Sequence, residues 1–179
     1  MVPLPLTLIT TGGTIDGTCH DLGTVSSDSG VEALLASDKR FSLAVVNLFN
    51  MDSRDIKDAD REKLLITIEG CATDLVVVGH GTYTICETGR YLKSKLHSSS
   101  KTVLLVGAWI PFGYPRSDAP TQVGFAADTL AQRSQCSGES LLALPNVAIA
   151  MDSRLWDPDT SEKVLTTQGR WVLTSRDRS

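Results

Sequence analysis

The 179-residue sequence is short of several features, and each shortage excludes a class of function. Its four cysteines, at 19, 71, 86 and 136, never form a CxxC pair, so a zinc ribbon or a redox dithiol is not expected and buried free thiols are. There is no basic excess: 17 basic residues face 21 acidic ones, the net charge is −4, and no basic stripe stands ready for nucleic acid. No apolar run approaches the roughly 20 residues that a membrane span needs. The apolar N-terminal stretch carries Pro3 and Pro5 and no basic residue, so it reads as a first strand and not as a leader; the cytoplasm is the expected compartment. Phosphate-binding signatures are incomplete. Gly79-His80-Gly81 is followed by Thr84 where a third glycine belongs, and neither GxxxxGKS/T nor GxSxG occurs. Dinucleotide, nucleoside-triphosphate and α/β-hydrolase readings therefore fail.

What remains is ordinary globular composition, with 41% hydrophobic and 21% charged residues, no internal repeat and no linker long enough to divide the chain. At roughly 150 residues per domain, a single domain over 1–179 is expected. Five short apolar runs, at 4–10, 41–49, 74–78, 102–106 and 147–151, are nearly continuous in Val, Ile and Leu. Runs without clean alternation suit strands buried on both faces, as in a parallel sheet. Between them the spacing predicts helices over 31–37, from an N-cap at Asp58 through Ile68, over 87–96, and over 121–132. After Ser153 the pattern changes to short strand-like runs around Trp156, 163–166 and 170–174, a hairpin or a pair of edge strands. The predicted fold is a doubly wound, largely parallel α/β sheet with a C-terminal hairpin.

Ligands of such sheets bind beyond the carboxyl ends of the strands. Small, hydroxyl-bearing and acidic residues gather there: Thr10-Thr11-Gly12-Gly13-Thr14, Asp52-Ser53, His80-Gly81-Thr82-Tyr83, Gly107-Ala108, Ser117-Asp118-Ala119-Pro120, and Lys163 beyond the fifth strand. Taken singly, each has an ordinary role, a turn threonine or a solvated lysine. The ordered set resembles the N-terminal domain of the type I/II L-asparaginases. Thr11-Gly12-Gly13-Thr14-Ile15 resembles that family's first signature, and His80-Gly81-Thr82 with Glu87-Thr88 resembles its second. Asp52-Ser53 is similar to its substrate-carboxylate loop, Gly107-Ala108 and Ser117-Asp118-Ala119-Pro120 to its GAMRP…SDGP segment, and Ala150-Met151 with Lys163 to its second catalytic group. The likeness runs from about residue 4 to about residue 167, nearly the whole chain.

The resemblance implies hydrolysis of L-asparagine to L-aspartate and ammonia, with L-glutamine as a side substrate and with no metal or organic cofactor. Such chemistry needs a nucleophile, a route for its proton and donors for the oxyanion. By resemblance Thr14 is the nucleophile, and Thr82 and Lys163 act from the other side; a desolvated lysine can serve as base once its pKa falls. Ser53 holds the substrate α-carboxylate, Asp52 holds that loop, Gly81 and Tyr83 line the pocket, and N–H groups near Thr82 or Ala108 face the oxyanion. The stretch from Asp16 to Gly30 is expected to be a lid.

Two departures from the family stand out. The Asp that follows HGT in the family, and grips the substrate α-amino group, is here Tyr83. The family's lid tyrosine is missing as well, and Cys19 stands five residues after Thr14. One expectation is that Tyr83 reaches toward Thr14, leaving the amino group to another carboxylate such as Asp16. The alternative is a catalytically weakened, amino-acid-binding relative, and an amidotransferase component is a third reading. The chain resembles short-chain asparaginases, without the second domain of longer members, so a homo-oligomer (dimer or tetramer) acting on a small molecule, with no nucleic acid or membrane partner, is expected.

Overall fold

The computed structural model describes residues 2–13, 15, 30–96, 100–135 and 146–175. Five strands, β1 (Leu4–Thr10), β2 (Phe41–Asn47), β3 (Leu75–Gly79), β4 (Thr102–Val106) and β5 (Val147–Met151), pair in parallel in the order β2-β1-β3-β4-β5. A short strand β6 (Arg154–Trp156) closes the sheet antiparallel to β5. The doubly wound, mostly parallel sheet is thus as the apolar runs predicted.

Alternate residues of each strand feed two separate cores. Leu6, Leu8, Val77, Leu104, Val106, Ala148 and Ala150 face one side, where α1 (Gly30–Ser37) and α4 (Ala119–Gln135) contribute Val31, Leu35, Val123, Ala127 and Leu130. Ile9, Val76, Val78, Val103, Leu105, Ile149 and Met151 face the other, under Leu64 and Ile68 of α2 (Asp58–Gly70) and Ile85 and Leu92 of α3 (Ile85–Lys95). Both faces of β4 and β5 are fully covered, which is why their sequences lack polar alternation. Each Val, Leu, Ile or Met side chain among these contributes roughly 1.5–3 kcal/mol on burial. Pro5 is accommodated in central β1 because pairing with β3 begins only at Leu6.

Boundaries differ from the predicted ones for local reasons. The second strand ends at Asn47, since the Leu48 and Phe49 N–H groups both turn to the Thr10 carbonyl. Asp58 is the first residue of α2 and not its cap; the N-cap is Lys57, whose N–H donates to the Asp60 carboxylate at 3.1 Å. Helix α4 begins at Ala119, before Pro120, because proline in a first turn forfeits no helical bond; the Ala119 N–H donates to Ser117 Oγ at 3.1 Å. It also runs on through Ser134 and Gln135, past the predicted end at 132. Asp152 and Ser153, both at positive φ (55° and 54°), form the tight two-residue turn that folds β6 back on β5. The hairpin is a separate two-stranded sheet of β7 (Ser161–Leu165) and β8 (Trp171–Ser175). Of the two forms expected after Ser153 the hairpin is therefore the one present, and β6 adds a single edge strand to the main sheet. No helix among the described residues is long and apolar enough to cross a membrane.

Candidate active site

The strand order changes direction at β1, with β2 on one side and β3 on the other, so the crevice expected of a doubly wound sheet lies beyond the carboxyl ends of β1 and β3. There the chain after β1 is tightly tied. Thr11 donates through both its N–H and its Oγ1 to the Gly79 carbonyl (3.1 and 2.8 Å), and its own carbonyl accepts from the Met51 N–H. Gly12 and Gly13 follow at φ 87° and 89°, where an L side chain is strained. Space forbids one too: a Cβ on Gly12 would stand 2.6 Å from the Met51 nitrogen, and one on Gly13 would stand 2.8 Å from Gly81 Cα. The first and second signatures thus meet backbone to backbone. Thr14 and Asp16, with the rest of the predicted lid at 16–29, lie outside the described residues, as do Cys19 and Cys136. The expected approach of Tyr83 to Thr14 lies outside them as well.

The loop after β2 enters from the other flank. Asp52 caps a short 3₁₀ turn (Ser53–Asp55), accepting the Arg54 N–H at 2.9 Å and pairing with the Arg54 guanidinium at 2.6 Å. Ser53 is buried, and its Oγ has no hydrogen-bond partner among the described residues. A Cβ on Gly81 would come within 2.5 Å of that oxygen, so only glycine lets the second signature pass Ser53. Thr84 Oγ1 fixes the same turn by donating to the Ser53 carbonyl at 2.6 Å.

Beneath this, His80 is fully buried and donates from Nδ1 to the Gly81 carbonyl at 2.8 Å. A carbonyl only accepts, so Nδ1 carries the proton and Nε2 is bare; Nε2 has no partner among the described residues. Burial pushes the imidazole down to about 4, outweighing the upward pull of the Gly81 carbonyl, and the Arg61 charge adds a smaller downward push. A neutral histidine of this kind orients a loop.

Lys163 arrives from β7 and donates to Thr82 Oγ1 at 2.9 Å. Burial pushes its ammonium down to about 8, and the Arg54 charge adds to that, while Asp52 and Cys86 pull the other way. Gly107 packs against Thr82, a Cβ there being 3.0 Å from Thr82 Cγ2. Ala108 is fully buried in the core. The following Trp109 and Ile110 N–H groups are engaged by Asp118 at 3.0 and 2.8 Å, and Gln122 donates to the same carboxylate, so the Ser117-Asp118 motif clamps the loop after β4.

Of the predicted residues, Thr82, Lys163, Tyr83, Asp52, Ser53 and Gly81 thus form one connected cluster. Tyr83 is held between two cations, with Arg54 4.9 Å and Lys163 3.7 Å from its ring centre. Glu87 and Thr88 lie on α3 outside this cluster, Glu87 paired with Arg90 and Thr88 accepting from Arg61. Sequence reading missed Arg54, although its place two residues after a turn-capping aspartate was a signal. Trp109 and Trp171, whose rings stand near Lys163 Nζ, were likewise not among the predicted site residues. Among the described residues no three His, Cys, Asp or Glu side chains converge as a metal-ligating group.

The chain is similar in sequence and fold to known proteins. The family described as "Asparaginase, N-terminal" matches residues 5–172. A "Probable L-asparaginase periplasmic" of Haemophilus influenzae is 29% identical over 150 residues, covering 79% of this chain and 42% of that protein. One component of the glutamyl-tRNA(Gln) amidotransferase of Thermoplasma acidophilum is 31% identical over 120 residues, covering 64% of this chain and 29% of that protein. The chain therefore spans less than half the length of these relatives. Among solved structures, a probable cytoplasmic L-asparaginase from Campylobacter jejuni superposes with a TM-score of 0.73 at 23% identity, covering 98% of this chain and 54% of that one. The thermostable L-asparaginase from Thermococcus kodakarensis gives 0.73 at 21% identity, covering 96% and 51%. At these identities the structures speak to the fold, while the match over 5–172 speaks to ancestry: the chain belongs to the asparaginase N-terminal-domain family.

Proposed function

We propose that the chain hydrolyses the side-chain amide of L-asparagine, with Thr14 as nucleophile and Thr82 and Lys163 as its proton-handling pair. The observation that carries this reading is the 2.9 Å contact between Lys163 Nζ and Thr82 Oγ1 at the carboxyl edge of the sheet, made by a lysine whose pKa lies near 8. A lysine at its ordinary value is almost wholly protonated at neutral pH and cannot accept a proton. One near 8 is neutral in about one molecule in eleven at pH 7, and most are neutral by pH 9.

In the proposed first step the Thr14 hydroxyl oxygen bonds to the amide carbon while its proton passes toward the leaving nitrogen. The C–N bond breaks, ammonia departs and an acyl ester on Thr14 remains. Water then attacks the ester carbon, the C–O bond to Thr14 breaks, and aspartate leaves with the threonine hydroxyl restored. Ser53 Oγ, buried and without a partner among the described residues, is suited to donate to the substrate α-carboxylate. Asp52 holds that turn through Arg54. L-Glutamine, one methylene longer, is a side substrate, since a methylene is worth only about 1–3 kcal/mol of discrimination. The working unit is a homo-oligomer, checked by sedimentation.

The test is ammonia release from L-asparagine by the wild type, Thr14→Ala and Lys163→Met, with L-asparagine binding measured by calorimetry in parallel. Loss of turnover in both variants supports the proposal. Binding without turnover, at equal residual rates in all three, establishes instead the weakened binding relative. One observation favours that second reading: the position expected to grip the substrate amino group holds Tyr83, whose ring faces two cations and offers no carboxylate.

A further inference from the structure

Three aromatic rings surround the Lys163 ammonium, and they come from three separate parts of the chain. Its Nζ lies 3.7 Å from the ring centre of Tyr83, 4.6 Å from Trp171 and 5.6 Å from Trp109. The Tyr83 and Trp171 rings meet edge to face, 6.1 Å apart at 69°. Trp109 is tethered from behind, its indole N–H donating to Asp152 at 2.8 Å.

Register explains how Trp171 gets there. In the hairpin Lys163 stands opposite Leu173, and Leu165 opposite Trp171. Side chains two residues apart share a face, so Trp171 is the diagonal neighbour of Lys163, within reach of a long side chain and a large ring. The same face carries Ser161 and Leu173, both buried against the body of the domain. Leu173 anchors the hairpin, and Trp171, at its rim, is the outer wall of the lysine's surroundings.

We infer that Trp171 is a positioning residue for Lys163: from the opposite strand its indole, with Tyr83, holds the lysine on Thr82 and keeps water off the ammonium. The inference rests on the reading of Lys163 as the proton-handling lysine, and it adds a residue that acts only through Lys163. A ring face attracts a cation, which favours the charged form. Covering the same group excludes water, which disfavours the charged form. The two effects have opposite signs, so they can be separated by substitution. Among the described residues, the charged groups that act on the lysine are Arg54 of the 3₁₀ turn and its cap Asp52, with the Cys86 thiol of α3 and the Tyr83 phenol beside them. Arg54 and Asp52 are paired to each other and are left intact by any change at 171.

The experiment reads the lysine directly, without relying on turnover. The 13Cε resonance of Lys163, assigned by its loss in Lys163→Met, is titrated from pH 6 to pH 11 in the wild type, Trp171→Ala, Trp171→Leu and Trp171→Phe. In Trp171→Ala the midpoint is expected to rise by at least about one pH unit, because water reaches a group that burial had depressed. In Trp171→Leu, which keeps the cover and loses the ring, it stays at the wild-type value or falls. In Trp171→Phe it stays within a few tenths. Circular dichroism confirms that each variant is folded. An unchanged midpoint in Trp171→Ala overturns the inference, and so does an equal rise in Trp171→Ala and Trp171→Leu. Ammonia release is then measured on the same samples. If the midpoints move as expected and no variant or wild type releases ammonia, the proposed hydrolysis falls and the role of Trp171 as a positioning residue stands.

Discussion

His80 should make this protein lose stability as the pH falls, and the size of the loss follows from its burial. The imidazole is fully enclosed, its Nδ1–H is held by Gly81, and Nε2 has no partner among the described residues. Folding therefore lowers its pKa from the ordinary 6.5 to about 4, through burial first and the Arg61 charge second. Above 6.5 the histidine is neutral in both states and contributes nothing to pH dependence. Between 6.5 and 4 the unfolded chain binds a proton that the native state refuses, so stability falls with falling pH at about 1.4 kcal/mol per unit. Over the whole window the loss is about 3 kcal/mol, a sizeable share of a typical domain's 5–15 kcal/mol.

The assay is urea unfolding at several pH values from 8 to 4, for the wild type and for His80→Asn. The asparagine amide can donate to the Gly81 carbonyl in place of Nδ1 and does not titrate. The carboxylates Asp38 and Glu62, both held below their ordinary values by hydrogen bonds, Asp38 to Arg40 and Glu62 to Tyr91 and Lys95, contribute a loss at lower pH that the two proteins share. Subtracting one curve from the other isolates the histidine. The expected difference opens below pH 6.5 and reaches about 3 kcal/mol near pH 4. Parallel curves for the two proteins would refute the reasoning, because they would mean that the native state takes up the proton as readily as the unfolded one.

Other perturbations test the candidate site and the cores. Arg54→Gln removes a charge that lowers the Lys163 pKa and frees the Asp52 carboxylate that raises it; both changes act upward, so the pH midpoint of ammonia release should rise. Its rate at pH 7 should fall up to about tenfold, with recovery in alkali, as expected for a one-unit change in base pKa. Gly81→Ala forces a Cβ to within 2.5 Å of Ser53 Oγ; KM for L-asparagine should rise by tenfold or more, about 1.4 kcal/mol, while far-ultraviolet dichroism stays native. Tyr83→Asp installs a carboxylate beside Arg54 and Lys163 where the family carries one, and should lower KM for L-asparagine by about tenfold, the worth of one charge-assisted hydrogen bond. Leu104→Ala empties a fully buried position of β4 and should cost about 2–5 kcal/mol in urea unfolding, with Lys163 titrating as in the wild type.

The strands were legible in the sequence because burial on both faces writes a simple signal. The runs of β1, β4 and β5 end where predicted, and each is followed within two residues by a glycine or a hydroxyl residue. Helix ends were less legible, since they depend on which of several neighbouring polar groups reaches a backbone N–H. Lys57 caps α2 with the help of Asp60, and nothing in the composition favours it over Asp58. The second strand ended early for a similar reason, with two N–H groups turning to one carbonyl of β1.

The site divides in the same way. That Asp52, Ser53, Gly81, Thr82 and Lys163 belong together was readable from the ordered family resemblance, with the rule that ligands gather beyond strand ends in support. That only glycine passes Ser53 at position 81, that Arg54 closes on Asp52, and that Lys163 sits within three rings was not. Hydrophobic pattern is a property of consecutive residues, and it determined this protein's sheet, its two cores and the edge at which chemistry gathers. The charge state of Lys163 depends on cover from residues far apart in the chain and on the register of a hairpin, so only the tertiary structure decided it.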